Sequence, residues 1–143
     1  MKLLTKELEK KFEKYPLYSQ DGKGLDAEVI AKFYNPYGHG IWLITEGDKQ
    51  EDGDYLMFGY VQLSNPHDAE FGYVTLKQLE SIEIKAKLNG IPFTIGSIEG
   101  DIHLPEHCNL KQAMELSDIE IPQFLIDMQE ETDEVYEDEE IEI

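Results

Sequence analysis

The chain reads as an α+β protein: a mostly antiparallel sheet, wound as a meander, with an N-terminal helix and short helices packed on it. Three observations predict this. Four runs rich in β-branched and aromatic residues follow one another with short turns between them. The first fifteen residues carry apolar side chains at helical spacing. Two later stretches open with helix-capping patterns.

Thr5–Tyr15 is the first helix. Leu4, Leu8, Phe12 and Tyr15 recur at spacings of four, four and three, one face of a 3.6-residue period. Thr5 can serve as N-cap, and Pro16 stops the helix because the residue before a proline is pushed out of the α region. Residues 18–26, with D-G-K-G inside them, form a loop; G-K-G matches neither a P-loop nor a dinucleotide fingerprint.

The strand-like runs are Ala27–Tyr34, Gly40–Glu46, Tyr55–Leu63 and Glu70–Thr75. Their connections, around Asn35-Pro36, Asp52-Gly53 and Asn65-Pro66, are too short for parallel crossovers, so successive strands pair antiparallel. The third run is apolar at alternate positions of both phases, as expected of a strand inside a sheet covered on both sides. Its F-G-Y-V returns thirteen residues later in the fourth run. Two copies cannot make a repeat array, so the echo reads as a hairpin. A loop symmetric about His67 puts Val61 opposite Tyr73 and Leu63 opposite Phe71, with Gly59 and Gly72 marking a bulge or a close approach.

Thr75 followed by Gln78 is a capping box opening a helix through Leu76 and Leu79. From Ile82 to Leu88 two readings stand. Alternation and Asn89-Gly90 favour a hairpin with Ile91, Phe93 and Ile95; a helix continued to Leu88 with Gly90 as its stop is the alternative. Ile98–Leu104 reads as a last short strand. Asn109–Leu116 is a helix capped by Asn109 with Gln112, and Pro122 opens a further one bearing Phe124, Leu125 and Met128. The domain expected is 1–116, then a short helix within 117–128, then an acidic disordered tail from 129 to 143.

Charge is the largest anomaly. The net charge is −19, with twelve lysines, no arginine and 31 acids. Residues 1–111 hold all twelve lysines and 18 acids; residues 112–143 hold 13 acids and no base. This argues against direct nucleic-acid binding, which uses a basic patch, and against anionic membranes. It fits a basic protein partner. The partner-binding candidates are Asp127, Glu130, Glu131, Asp133, Glu134, Tyr136, Glu137, Asp138, Glu139 and Glu140 of the tail region, with Tyr37 and His39 of the aromatic turn at 35–40. No apolar run approaches a membrane span and the start lacks a secretory h-region, so the cytoplasm is the expected location. Oligomeric state is open.

For chemistry the candidate set is Asp101, His103, His107 and Cys108 in D-I-H-L-P-E-H-C, a metal site in a metal-assisted enzyme or nucleic-acid processing factor. Pro105 between the histidines disfavours the helix that would align them. No residue is singled out as catalytic, no cofactor is expected, and the balance leans away from an enzyme. A reactive thiolate needs positive or dipolar surroundings, and this chain offers little positive charge around Cys108.

Several stretches together resemble an uncharacterised bacterial family, domain of unknown function 2958. They are L-L-T-K-E-L at Leu3–Leu8, P-L-Y-S-Q at Pro16–Gln20 with the D-G-K-G after it, K-F-Y at Lys32–Tyr34, and the double F-G-Y-V from Phe58 through Ser81. The resemblance covers roughly residues 1–105. It brings no catalytic motif. It implies a setting on plasmids, phages and integrative elements, hence an accessory or counter-defence role. Combined with the acidic surface and tail, the expected function is an anti-CRISPR or anti-restriction inhibitor acting by nucleic-acid mimicry. Ile82–Gly96 looks longer than the family pattern, and the acidic tail is an addition to it.

Overall fold

The computed structural model describes residues 2–131. Helix α1 spans Lys6–Lys14, and the Thr5 hydroxyl accepts the Leu8 amide as its cap. Strands β1 (Ala31–Tyr34), β2 (Ile41–Lys49), β3 (Tyr55–Gln62) and β4 (Glu70–Thr75) follow as an antiparallel meander. Helix α2 is Leu76–Ser81, opened by the capping box between Thr75 and Gln78. Strands β5 (Glu83–Leu88) and β6 (Ile91–Ser97) form a separate hairpin, which decides between the two readings of this stretch in favour of strands. Strand β7, Glu99–Gly100, returns to pair with β1, so the main sheet runs β4-β3-β2-β1-β7. Helix α3, Leu110–Leu116, starts at Asn109 with its own capping box. A last helix, α4, covers residues 123–131, beyond the boundary at 128 expected for it.

The sheet carries a core on each face. On one side Leu8 and Phe12 of α1 and Leu76 and Leu79 of α2 pack on Trp42, Ile44, Tyr55 and Met57. On the other Leu110, Ala113 and Met114 of α3 and Leu125 of α4 pack on Ile41, Leu43 and Tyr60. β2 and β3 therefore feed both cores through alternate residues, the two-sided burial expected from the pattern of β3.

The register of the β3–β4 hairpin differs from expectation. Gly59 lies opposite Gly72, Phe58 opposite Tyr73, Tyr60 opposite Phe71 and Val61 opposite Glu70. The symmetric loop about His67 is replaced by a 3₁₀ turn, Pro66–Asp68, whose N-cap Asn65 accepts the His67 amide. That shifts the centre of symmetry to the Asn65–Pro66 bond. Gly59 does mark a bulge: the β2–β3 register slips between Ile44 and Glu46, directly beside it. A Cβ on Gly59 would stand 2.1 Å from the Leu43 carbonyl oxygen, so only glycine fits. Gly72 has open space at the same place.

Candidate functional site

The bulge in β2 organises the loop after α1. It turns Glu46 inward, where its two carboxylate oxygens accept the amides of Tyr18 and Gln20, each at 2.8 Å. Gln20, itself buried, donates to the carbonyls of Glu28 and Thr45 and accepts the Glu28 amide. One buried carboxylate and one buried amide thus hold Tyr18 and Gln20, just before the D-G-K-G loop, against the sheet. These residues carried no signal as a pair, because 26 residues separate them.

On the opposite side of the molecule from α1, charge accumulates. Glu115, Asp118, Glu120, Asp127, Glu130 and Glu131 are all exposed on α3, α4 and their connection. No lysine follows Lys111. The four lysines of α1, Lys6, Lys10, Lys11 and Lys14, lie across the sheet, since α1 packs on the other core. Asp127 of the partner-binding set receives the Gln123 amide at 2.9 Å, one helical turn away, and stays exposed. Asp133, Glu134, Tyr136, Glu137, Asp138, Glu139 and Glu140 lie outside the described residues, as does the part of the expected tail beyond 131.

The aromatic turn divides. Asn35 builds it: its side-chain oxygen accepts the Tyr37 amide and its side-chain nitrogen donates to the His39 carbonyl. His39 lines a cavity of about 360 Å³ with Lys32, Gln62, Ser64 and, from the end of α3, Ser117 and Asp118. The Tyr37 ring turns the other way and rests on Gly96 of β6, where a Cβ would come within 2.4 Å of it. Of the two, His39 adjoins the acidic face and Tyr37 belongs to the base of the hairpin.

The four metal candidates are not gathered. Asp101 pairs with Lys32 at 3.4 Å and accepts the His103 amide, so His103 contributes backbone there, not imidazole. The His107 ring meets Glu28 at 3.1 Å. Cys108 is buried under α3, and burial together with the Glu28 charge pushes its thiol up, away from a reactive thiolate. Among the described residues no group of three or more His, Cys, Asp or Glu side chains is placed to hold a metal ion.

What does form is a small polar cluster about Glu28. Tyr15 donates its hydroxyl to one carboxylate oxygen at 2.5 Å while His107 holds the other. Partial burial works to raise the Glu28 carboxyl; the bonds from Tyr15 and His107 outweigh it, and the carboxyl sits below its ordinary value. The Tyr15 phenol is raised in turn, first by that hydrogen bond and then by burial and the carboxylate charge. The cluster ties α1 to the segment before α3, with Lys10, Lys11 and Lys14 along the same groove.

No curated protein and no solved structure matches this chain. None of the helices among the described residues is long and apolar enough to cross a membrane. A family model does match, over residues 3–117, which reaches past the expected limit near 105 to include α3 and ends before α4. The matched span holds the Glu46–Gln20 anchor, the Glu28 cluster and both glycines of the F-G-Y-V echo, and on it the chain belongs to the family described as protein of unknown function (DUF2958).

Proposed function

We propose that this protein works by binding: its α3–α4 face, with the acidic residues that follow it in sequence, engages a basic surface of a protein partner in the cytoplasm. The observation that supports this is the segregation of charge. Six exposed acids stand on one face of the sheet against a single lysine of α3, Lys111, and the four lysines of α1 are on the other. Such an arrangement steers a cationic surface toward one side of the molecule. A nucleic-acid-processing enzyme fits as target, because its channel is lined with cations placed for phosphates. An accessory role on a mobile element, inhibiting a restriction or CRISPR-type effector, follows as the proposed setting.

Affinity purification from the native host, with and without phage infection, tests for the partner. Binding should weaken steeply with salt, because screening shortens to about 8 Å near physiological ionic strength and about 3 Å at 1 M. The triple variant D127N/E130Q/E131Q, which alters only exposed side chains, should weaken capture while leaving the melting curve in place. A partner that stays bound unchanged in about 1 M salt refutes the electrostatic basis.

A further inference from the structure

The β5–β6 hairpin is not part of the main sheet; its strands pair only with each other. The Asn89-Gly90 turn has φ of 53° and 80°, the doubly left-handed backbone of a type I′ turn. Leu88 faces Ile91 across it, then Lys87 faces Pro92, Ala86 faces Phe93 and Lys85 faces Thr94. Residues opposite one another share a face, and faces alternate along the strand. One face is therefore Ala86, Leu88, Ile91 and Phe93; the other is Lys85, Lys87, Pro92 and Thr94. The apolar face is uncovered: Leu88 is 66% exposed, Ile91 69% and Phe93 47%.

The edges differ as well. In a two-residue hairpin the closing pair exchanges hydrogen bonds, and pairs then alternate. Leu88–Ile91 and Ala86–Phe93 are the bonded pairs. Lys87–Pro92 and Lys85–Thr94 point their backbone groups outward. Pro92 has no N–H to present, which blunts the outer edge of β6. The outer edge of β5 keeps the N–H and C=O of Lys85 and Lys87, and no backbone bond from outside the hairpin reaches them among the described residues.

We propose that the outer edge of β5 is the docking site for an extended segment of a partner protein that alternates acidic with apolar residues and adds as a third strand. Main-chain bonds to Lys85 and Lys87 hold it. Its acids fall beside the two lysine side chains, of which Lys85 already leans on Glu83 at 3.7 Å, and its apolar residues extend the Leu88 and Phe93 face. A second copy of this chain is a poor occupant. Antiparallel pairing of two β5 edges sets lysine against lysine, whereas an acidic segment sets an acid beside each. Lysine and proline also serve simply to protect an edge; that role predicts no binding, and it leaves the apolar face unexplained.

The test uses the full chain and a capped synthetic peptide alternating glutamate with valine, against a peptide of the same composition with its glutamates in one block. Binding is followed by fluorescence anisotropy and by amide hydrogen exchange. The alternating peptide should slow exchange at Lys85 and Lys87 and leave β1–β4 unchanged. K85E/K87E should weaken it roughly tenfold or more, since two favourable cross-strand pairs become unfavourable. Lys87→Pro removes an amide that makes no bond within the hairpin, so binding should fall while exchange at Ala86 and Leu88 still reports an intact β5–β6 pair. Equal binding of the block peptide, indifference to charge reversal, or amides of Lys85 and Lys87 already slow in the free full chain would each overturn the proposal.

Discussion

The two glycines of the repeated F-G-Y-V sit opposite each other, yet a methyl group should act on them in opposite directions. At Gly59 an added Cβ lies 2.1 Å from the Leu43 oxygen and 2.8 Å from the Ile44 Cα. Both obstacles are backbone of β2, a strand paired on both sides, so no rotamer change relieves the clash. Overpacking of this kind costs about 1–3 kcal/mol where side chains can yield, and here the upper end or more is expected. At Gly72 nothing lies within 4 Å, and the strand gains from reduced freedom of the unfolded chain. Gly72→Ala should therefore add about 0.5–1 kcal/mol. With roughly 2–4 °C per kcal/mol for a chain near this size, Gly59→Ala should lower Tm by about 6–12 °C and Gly72→Ala should raise it slightly. Thermal unfolding followed by Trp42 fluorescence gives both Tm shifts, and urea unfolding with the same probe gives both free-energy changes. Equal effects of the two substitutions would show that the bulge at Ile44–Glu46 is not where the register places it.

Other substitutions probe the polar anchors. Glu46→Gln replaces one of two acceptors with a donor facing the Tyr18 or Gln20 amide, and should cost about 1–3 kcal/mol with faster exchange at whichever amide is orphaned. Asp54, buried at the start of β3, accepts the Tyr55 and Lys77 amides at 2.8 and 3.0 Å and so caps α2 from a distance. Its burial works to raise the carboxyl, but those amides hold it below the ordinary value. The stability it contributes is thus present above the unfolded carboxyl pKa, about 3.9, and lost as pH falls through the folded value. Asp54→Asn should lose about 1–2 kcal/mol at neutral pH and show a shallower acid limb in its stability profile. Glu28→Gln should return the Tyr15 phenol toward its ordinary value, read from the pH titration of its ring-carbon shifts; an unmoved phenol would mean that Glu28 is not its partner.

Elements whose signals are local were legible. The capping boxes at Thr75 and Asn109, the stop at Pro16 and the turn at Asn89-Gly90 each depend on residues within four positions, and each appears where those residues place it. The order of β1 to β4 followed from loop length alone. What needed distant partners was not legible. The hairpin register turned on how Asn65 caps Pro66–Asp68, and the bulge in β2 on an acceptor being required for two loop amides far back in sequence. The same limit applies to the metal candidates. Four candidate ligands in eight residues look like a cluster, but once Lys32, Glu28 and α3 are in place, Asp101, His107 and Cys108 are each drawn to a different neighbour.

The sheet with a core on each face has a thermodynamic consequence. β2 lends Trp42 and Ile44 to one core and Ile41 and Leu43 to the other, so it is a wall common to two rooms. Neither helical layer can leave without exposing one side of that wall, and the wall cannot come apart without emptying both. The α1–α2 layer and the α3–α4 layer, though they never need to touch, are bound to a single melting transition.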